Sequence, residues 1–228
     1  MMKKVGTIRG NSRILAAVAA ILLLCAALSV AVAVGRAPTA KAEDAGKTFV
    51  DLGGIVTDYD AVETAPVAIA NASFEDALLP DSYGSATTEN WRNIWGASSP
   101  DYKTDGNKSL KITYEWTGIT TSTFPTTYQD IAVAPYTTYV ITFAMLSSRV
   151  TDKAFHVAVR NPGEWNNIYD YSINANSIAA QTFVYYRCSV YSGHRTTLRL
   201  CFWCQGNEGT TNFGGFYVDD VTVSKVTN

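Results

Sequence analysis

The sequence predicts an all-β fold: two packed antiparallel sheets, a β-sandwich of the jelly-roll kind. Three observations lead there. Beyond residue 66 the chain is a series of short segments rich in Val, Ile, Thr, Tyr and Phe. These are bounded by Gly, Pro, Asn and Asp clusters such as TDGNK, APYT, RNPGE and GNEGT. No amphipathic helical pattern of useful length follows Val34.

The elements follow in chain order. MMKKVGTIRGNSR carries four basic residues and no acid, and residues 14–34 are without charge. With Ala40-Lys41-Ala42 as an A-x-A site, residues 1–42 read as a secretory signal peptide cleaved after Ala42. The 21-residue apolar run is also long enough to cross a bilayer, so an uncleaved N-terminal anchor is the alternative, and a membrane enters only in that case. Cys25 is no lipidation site, because Leu24 stands where a small residue is needed. Residues 43–66 are mixed and acidic, a linker with room for one extra strand. Residues 67–228 form the module, with strands expected at 67–72, 109–116, 127–133, 138–146, 154–160, 168–173, 181–192, 196–204 and 216–223. Period-2 alternation sorts their faces. Tyr139, Ile141, Phe143 and Met145 share one side; Leu198, Leu200 and Phe202 oppose Arg199, Cys201 and Trp203.

Loss of residues 1–42 removes six basic residues (Lys3, Lys4, Arg9, Arg13, Arg36, Lys41) and no acid, leaving 12 Lys+Arg against 20 Asp+Glu, a net charge of −8. That sign argues against nucleic acid or anionic membrane as partner. The 186 residues that remain suit one domain, expected as a monomer. Cys188, Cys201 and Cys204 are read as buried thiols or one cross-strand bridge. Positions three apart in a strand face opposite sides, so the C-x-x-C of CFWC is neither a redox nor a metal pair.

Near the end, GFYVDDVTV places Asp219 and Asp220 side by side in a strand. Acids are depleted there, and strand neighbours point to opposite faces, so one is expected to face inward. Its partner is a cation, a proton held for catalysis, or a backbone N–H.

Several landmarks fall in a familiar order. Asn71-Ala72-Ser73-Phe74-Glu75 resembles the N-x-G/S-F-E opening of carbohydrate-binding modules of the family 4, 9 and 22 group. Trp91 follows, Gly106-Asn107-Lys108-Ser109-Leu110 is similar to their G-x-x-S-L turn, and Pro135-Tyr136-Thr137-Thr138-Tyr139 to their P-G-x-x-Y strand start, with Tyr136 in place of Gly. Phe216-Tyr217-Val218-Asp219-Asp220-Val221 resembles the closing F-Y-x-D-D-V. The match spans residues 68–226. The resemblance implies a jelly roll that binds polysaccharide or oligosaccharide without altering it, and a structural Ca²⁺ joining first strand to last. Its implied ligands are Glu75 and Asp219 or Asp220, with carbonyls of the turn around Asn107. Carboxylate and carbonyl oxygens are the donors this hard ion takes, at about 2.3–2.6 Å. The opposing possibility is that these acids only bond backbone amides.

A sugar offers faces of C–H groups, which stack on aromatic rings, and hydroxyl edges, which bond Asn, Gln, Arg and carboxylates. Trp95, Trp116, Trp165, Tyr169, Tyr171, Arg199, Trp203 and Gln205 are the candidate ligand-binding residues. Trp91, at the family's scaffold position, is assigned to the core. The enzyme alternative, a jelly-roll glycanase or lyase, needs two carboxylates facing each other across about 5–9.5 Å. Asp219 and Asp220 are expected to point apart. His156 and His194 lack metal spacing, and neither G-x-S-x-G nor a P-loop is present. A surface adhesion module without sugar ligand is the third class.

Overall fold

Apolar residues at every second position give each long strand one dry side, and apposing the dry sides builds the sandwich. The structure is a computed structural model that describes residues 46–80, 90–94, 96–113, 115–116, 124–149, 153–175, 179–205, 207–208 and 214–228. The expectations for residues 1–42 and for Trp95 lie outside them.

The strands are β1 (Phe49–Asp51), β2 (Thr64–Val67), β3 (Leu79–Pro80), β4 (Arg92–Ile94), β5 (Gly96–Ser99), β6 (Ser109–Thr113), β7 (Glu115–Trp116) and β8 (Thr126–Ala132). They continue with β9 (Thr138–Ser147), β10 (Ala154–Arg160), β11 (Asn167–Asn174), β12 (Val184–Tyr191), β13 (Thr197–Cys204), β14 (Asn207–Glu208) and β15 (Gly215–Val226). The first sheet runs β1-β12-β9-β15-β6-β5, with β2 also paired to β15; the second runs β11-β10-β13-β8-β4-β3. All pairs joining the long strands are antiparallel. The short β1, β3 and β7 pair parallel, with β12, β4 and β14 respectively.

The acidic linker supplies β1 and most of β2. The expected strand 67–72 stops at Val67. Beyond it the Gln129 side chain pairs with Ala70 in both directions, at 3.2 and 3.1 Å, giving Ala70 the bonds a neighbouring strand would give. Asn71 then turns the chain in the left-handed region (φ 49°) and clasps Asp76 through its side-chain amide. Tyr136 also sits there (φ 54°), which is why the resembled motif has Gly at that position.

The core joins the two sheets through aromatic rings. Phe202 lies 5.5 Å from Trp91, 5.3 Å from Phe143 and 5.9 Å from Phe155, centroid to centroid. Tyr139, Ile141, Phe143 and Met145 all point into this core, as do Leu198, Leu200 and Phe202. Trp91 is fully buried, its indole N–H donating to the Asn71 carbonyl at 3.1 Å. Cys188 and Cys204 lie in the same core as free thiols, while Cys201 sits across the sheet among Tyr128 and Ala158. The two ends of CFWC therefore face opposite sides. Burial pushes all three thiols up, Cys201 to about 12, which leaves them unreactive.

Candidate functional site

Two places gather polar chemistry. At the acid pair the structure corrects one expectation. Phe216 and Val218 face the core, and so do Val221 and Val223, a change of parity within one strand. The pairing of β15 with β9 shifts register between Asp219 and Thr222, and Asp220 takes φ 52°. This bulge inserts one residue, so Asp219 and Asp220 both leave the core side instead of pointing apart.

The loop between β5 and β6 meets them there. Asp219, fully buried, accepts from the Thr104 N–H at 2.7 Å and the Thr104 hydroxyl at 2.8 Å through Oδ2, and from the Asp220 N–H at 2.9 Å through Oδ1. Burial raises its pKa, with these donors opposing. Glu75 Oε1 accepts the N–H groups of Asn107 and Lys108 at 2.8 and 2.9 Å, which hold its carboxyl below the usual range. Gly106 has no room for a side chain, since a Cβ would fall 2.2 Å from Glu75 Oε1. Asp220 is bonded to Lys47, whose ammonium also lies 4.9 Å from the Tyr185 ring centre. Loop 104–108 thus ties the N-x-S-F-E turn to the last strand through backbone amides and the Thr104 hydroxyl, the alternative that the sequence left open beside an ion. Among the described residues no three His, Cys, Asp or Glu side chains form a ready metal cage.

The second place is the outward side of the second sheet. Register sets its rows. His156 lies opposite Trp203, and Trp203 opposite Thr126; two residues along, Asp170, Ala158, Cys201, Tyr128 and Arg92 line up; next come Asn167, Arg160, Arg199 and Asp130. The His156 and Trp203 rings stack with centroids 3.8 Å apart and planes 15° from parallel. His156 Nδ1 meets Asp170 Oδ1 at 2.9 Å, and Asp170 Oδ2 accepts from the Asn167 amide at 2.6 Å. Arg199 donates Nε and a terminal nitrogen to Asp130 at 2.7 and 3.1 Å, and its guanidinium lies 4.3 Å from the Tyr128 ring centre. Burial works against the Arg199 charge, but the Asp130 bonds outweigh it and hold the pKa above the usual arginine value. The Trp203 indole N–H is buried and has no hydrogen-bond partner among the described residues.

Of the expected ligand-binding residues, Arg199 and Trp203 share this side. Trp165 joins it through Arg160, whose guanidinium lies 5.4 Å from the indole centre. Gln205 is exposed just past the end of β13. Trp116 is in β7, its side chain outside the described residues. Tyr169 and Tyr171 belong elsewhere: both pack on the core side of β11, and their hydroxyls bond β12, Tyr171 donating to the Ser189 carbonyl at 2.7 Å and Tyr169 accepting from the Tyr191 N–H at 3.1 Å. They staple one sheet to the other. Their even spacing from Ile173 was the available signal. His156, Asp170, Arg160, Asn167, Tyr128 and Asp130 were missed as members of the site, because only strand pairing sets them beside Trp203 and Arg199.

A protein from Bacteroides thetaiotaomicron with a provisional sugar-binding assignment superposes on the chain with TM-score 0.52 at 13% identity, over 70% of this chain and 99% of that one. The two share one fold. A carbohydrate-binding module of family 4 aligns with TM-score 0.47 and 20% identity over 69% of this chain and 99% of its own. A family 22 xylan-binding domain from Paenibacillus barcinonensis aligns with TM-score 0.40 and 15% identity over 67% and 96%. No protein-family model matches the chain, and no curated protein matches it.

Proposed function

We propose that the protein is an exported, non-catalytic glycan-binding module whose binding face is the outward side of the second sheet. The observation that carries this is the Trp203–His156 stack set in a field of hydrogen-bonding groups, Asp170, Asn167, Arg160, Arg199 and Asp130. An indole presents a negative ring face to sugar C–H groups, while amides, carboxylates and guanidinium groups match hydroxyls. Export is read from the basic and apolar N-terminal segment. Ser172 lies opposite His156, but among the described residues no hydrogen bond joins the two; the carboxylates of the face are held by Arg199 on one side and by His156 and Asn167 on the other.

Electrophoresis of the protein through gels containing soluble glycans tests the reading. Retardation by a glycan is expected, and Trp203→Ala should remove it while costing about 1 kcal/mol of stability, the worth of one aromatic pair. Retardation that survives this change would move the site away from Trp203, and release of sugar products would make the protein an enzyme.

The Ca²⁺ implied by the resemblance belongs to the same proposal. Burial raises the Asp105 pKa, and the charges of Asp220 and Glu75 raise it further, so three carboxylates feel one another around loop 104–108. Asp219 and Glu75 Oε1 already accept N–H donors, so Asp220, Asp105 and loop carbonyls including that of Asn107 would hold the ion, with the Lys47 ammonium displaced. The ion would supply a rigid link between loop and last strand. Thermal unfolding with Ca²⁺ against chelator is expected to show stabilisation, about 2.7 kcal/mol at a hundredfold excess over the dissociation constant. Lys47→Ala should enlarge it by releasing Asp220. An unchanged midpoint in both proteins would remove the ion from the account.

A further inference from the structure

The row Asn167, Arg160, Arg199, Asp130 crosses four neighbouring strands in register. It holds two guanidinium groups and one carboxylate. Asp130 is committed to Arg199 by two hydrogen bonds. Arg160, 7% exposed, donates Nε to the neutral Asn167 amide at 2.6 Å and lies against the Trp165 ring. Asp170, on the neighbouring strand, is engaged by His156 and by the Asn167 amide. Like charges directly opposite on paired strands repel. A guanidinium taken out of water without a carboxylate is costly. An anion on this face offsets both costs. Such an arrangement is not a by-product of bulk composition, because acids outnumber Lys and Arg in the whole chain, 20 to 18. Beside Arg160, Trp165 is 53% exposed and offers a ring to a sugar.

Resting on the glycan-binding reading, we propose that the ligand is an acidic polysaccharide: a uronic-acid carboxylate seats between Arg160 and Arg199, and an adjoining sugar stacks on Trp165. A guanidinium fork matches a carboxylate with two parallel N–H donors, which a hydroxyl cannot replace.

The test is electrophoresis of the full chain through gels containing polygalacturonate, its fully methyl-esterified form, a neutral β-glucan, or polyglutamate. Polygalacturonate is expected to retard the protein most, with the effect weakening as salt is raised. Arg160→Gln should weaken that retention about tenfold, the usual worth of one charge-assisted contact, and weaken any β-glucan retention by a smaller factor. Arg160→Lys, which keeps the charge but not the fork, should fall between. Equal retention by the methyl ester or the β-glucan would overturn the acidic preference and leave glycan binding standing. Equal retention by polyglutamate would reduce it to charge alone and overturn it. Should no sugar polymer retard the protein, both readings fall. If Arg160→Gln does not fold, Arg160→Lys and the salt dependence decide: retention insensitive to both would overturn the proposal.

Discussion

Phe202→Ala is expected to destabilise the protein by about 3–5 kcal/mol, the range for removing a fully buried Phe. Its ring touches both sheets, standing 5.5 Å from Trp91, 5.3 Å from Phe143 and 5.9 Å from Phe155, with all four side chains sealed from solvent. A void there strips contacts from three large rings at once, and a rigid two-sheet frame closes over it only in part. Domains of this size hold about 5–15 kcal/mol in total, so the variant should unfold at a much lower urea midpoint with unchanged slope. The adjacent residue behaves differently. Trp203 points to the other side of the same strand, so its loss should affect ligand retention far more than folding. A loss below about 1 kcal/mol for Phe202→Ala would mean that the two sheets do not meet at this ring.

Asp130→Ala is expected to cost a similar amount, about 3–5 kcal/mol, for a different reason. The Asp130 and Arg199 side chains are 1% and 7% exposed, and the carboxylate is what offsets the Arg199 charge. Removing it leaves a desolvated guanidinium facing Arg160 across the strand pair. The loss is a penalty on the orphan and not the net worth of the pair. Replacing both partners with apolar residues, Asp130→Leu with Arg199→Met, should therefore recover most of the stability. Urea unfolding of the two single variants and the double variant separates these quantities. Single variants within about 0.5 kcal/mol of the parent would mean that the pair behaves as a surface ion pair.

Most of the fold was legible in the chain. Strand β10 was expected at 154–160 and is Ala154–Arg160, and β9 and β13 differ from expectation by one residue at one end. Such strands carry long alternating runs between turn residues, a signal contained in near neighbours. The expected strand at 67–72 stops at Val67, and beyond it Ala70 bonds the Gln129 amide in place of a ladder, a partner 59 positions away that no local stretch shows. The site was legible in part. Arg199 and Trp203 were placed on a common face by alternation alone. Tyr169 and Tyr171, expected as sugar platforms, pack on the core side of β11, because aromatic rings next to Asn-rich sequence read equally as platforms or as inter-sheet packing.

The chain by itself determined which side of β9 and β13 is dry and that the two ends of CFWC part company, for which a period of two residues suffices, while the family resemblance put Trp91 in the core. Only the tertiary structure decided the partners. Asp219 meets Thr104 across 115 positions, Asp130 meets Arg199 across 69, and a single bulged residue turns both terminal acids to one side. These contacts depend on strand order and register, which arise when distant segments close on one core and are not written in any local stretch of sequence.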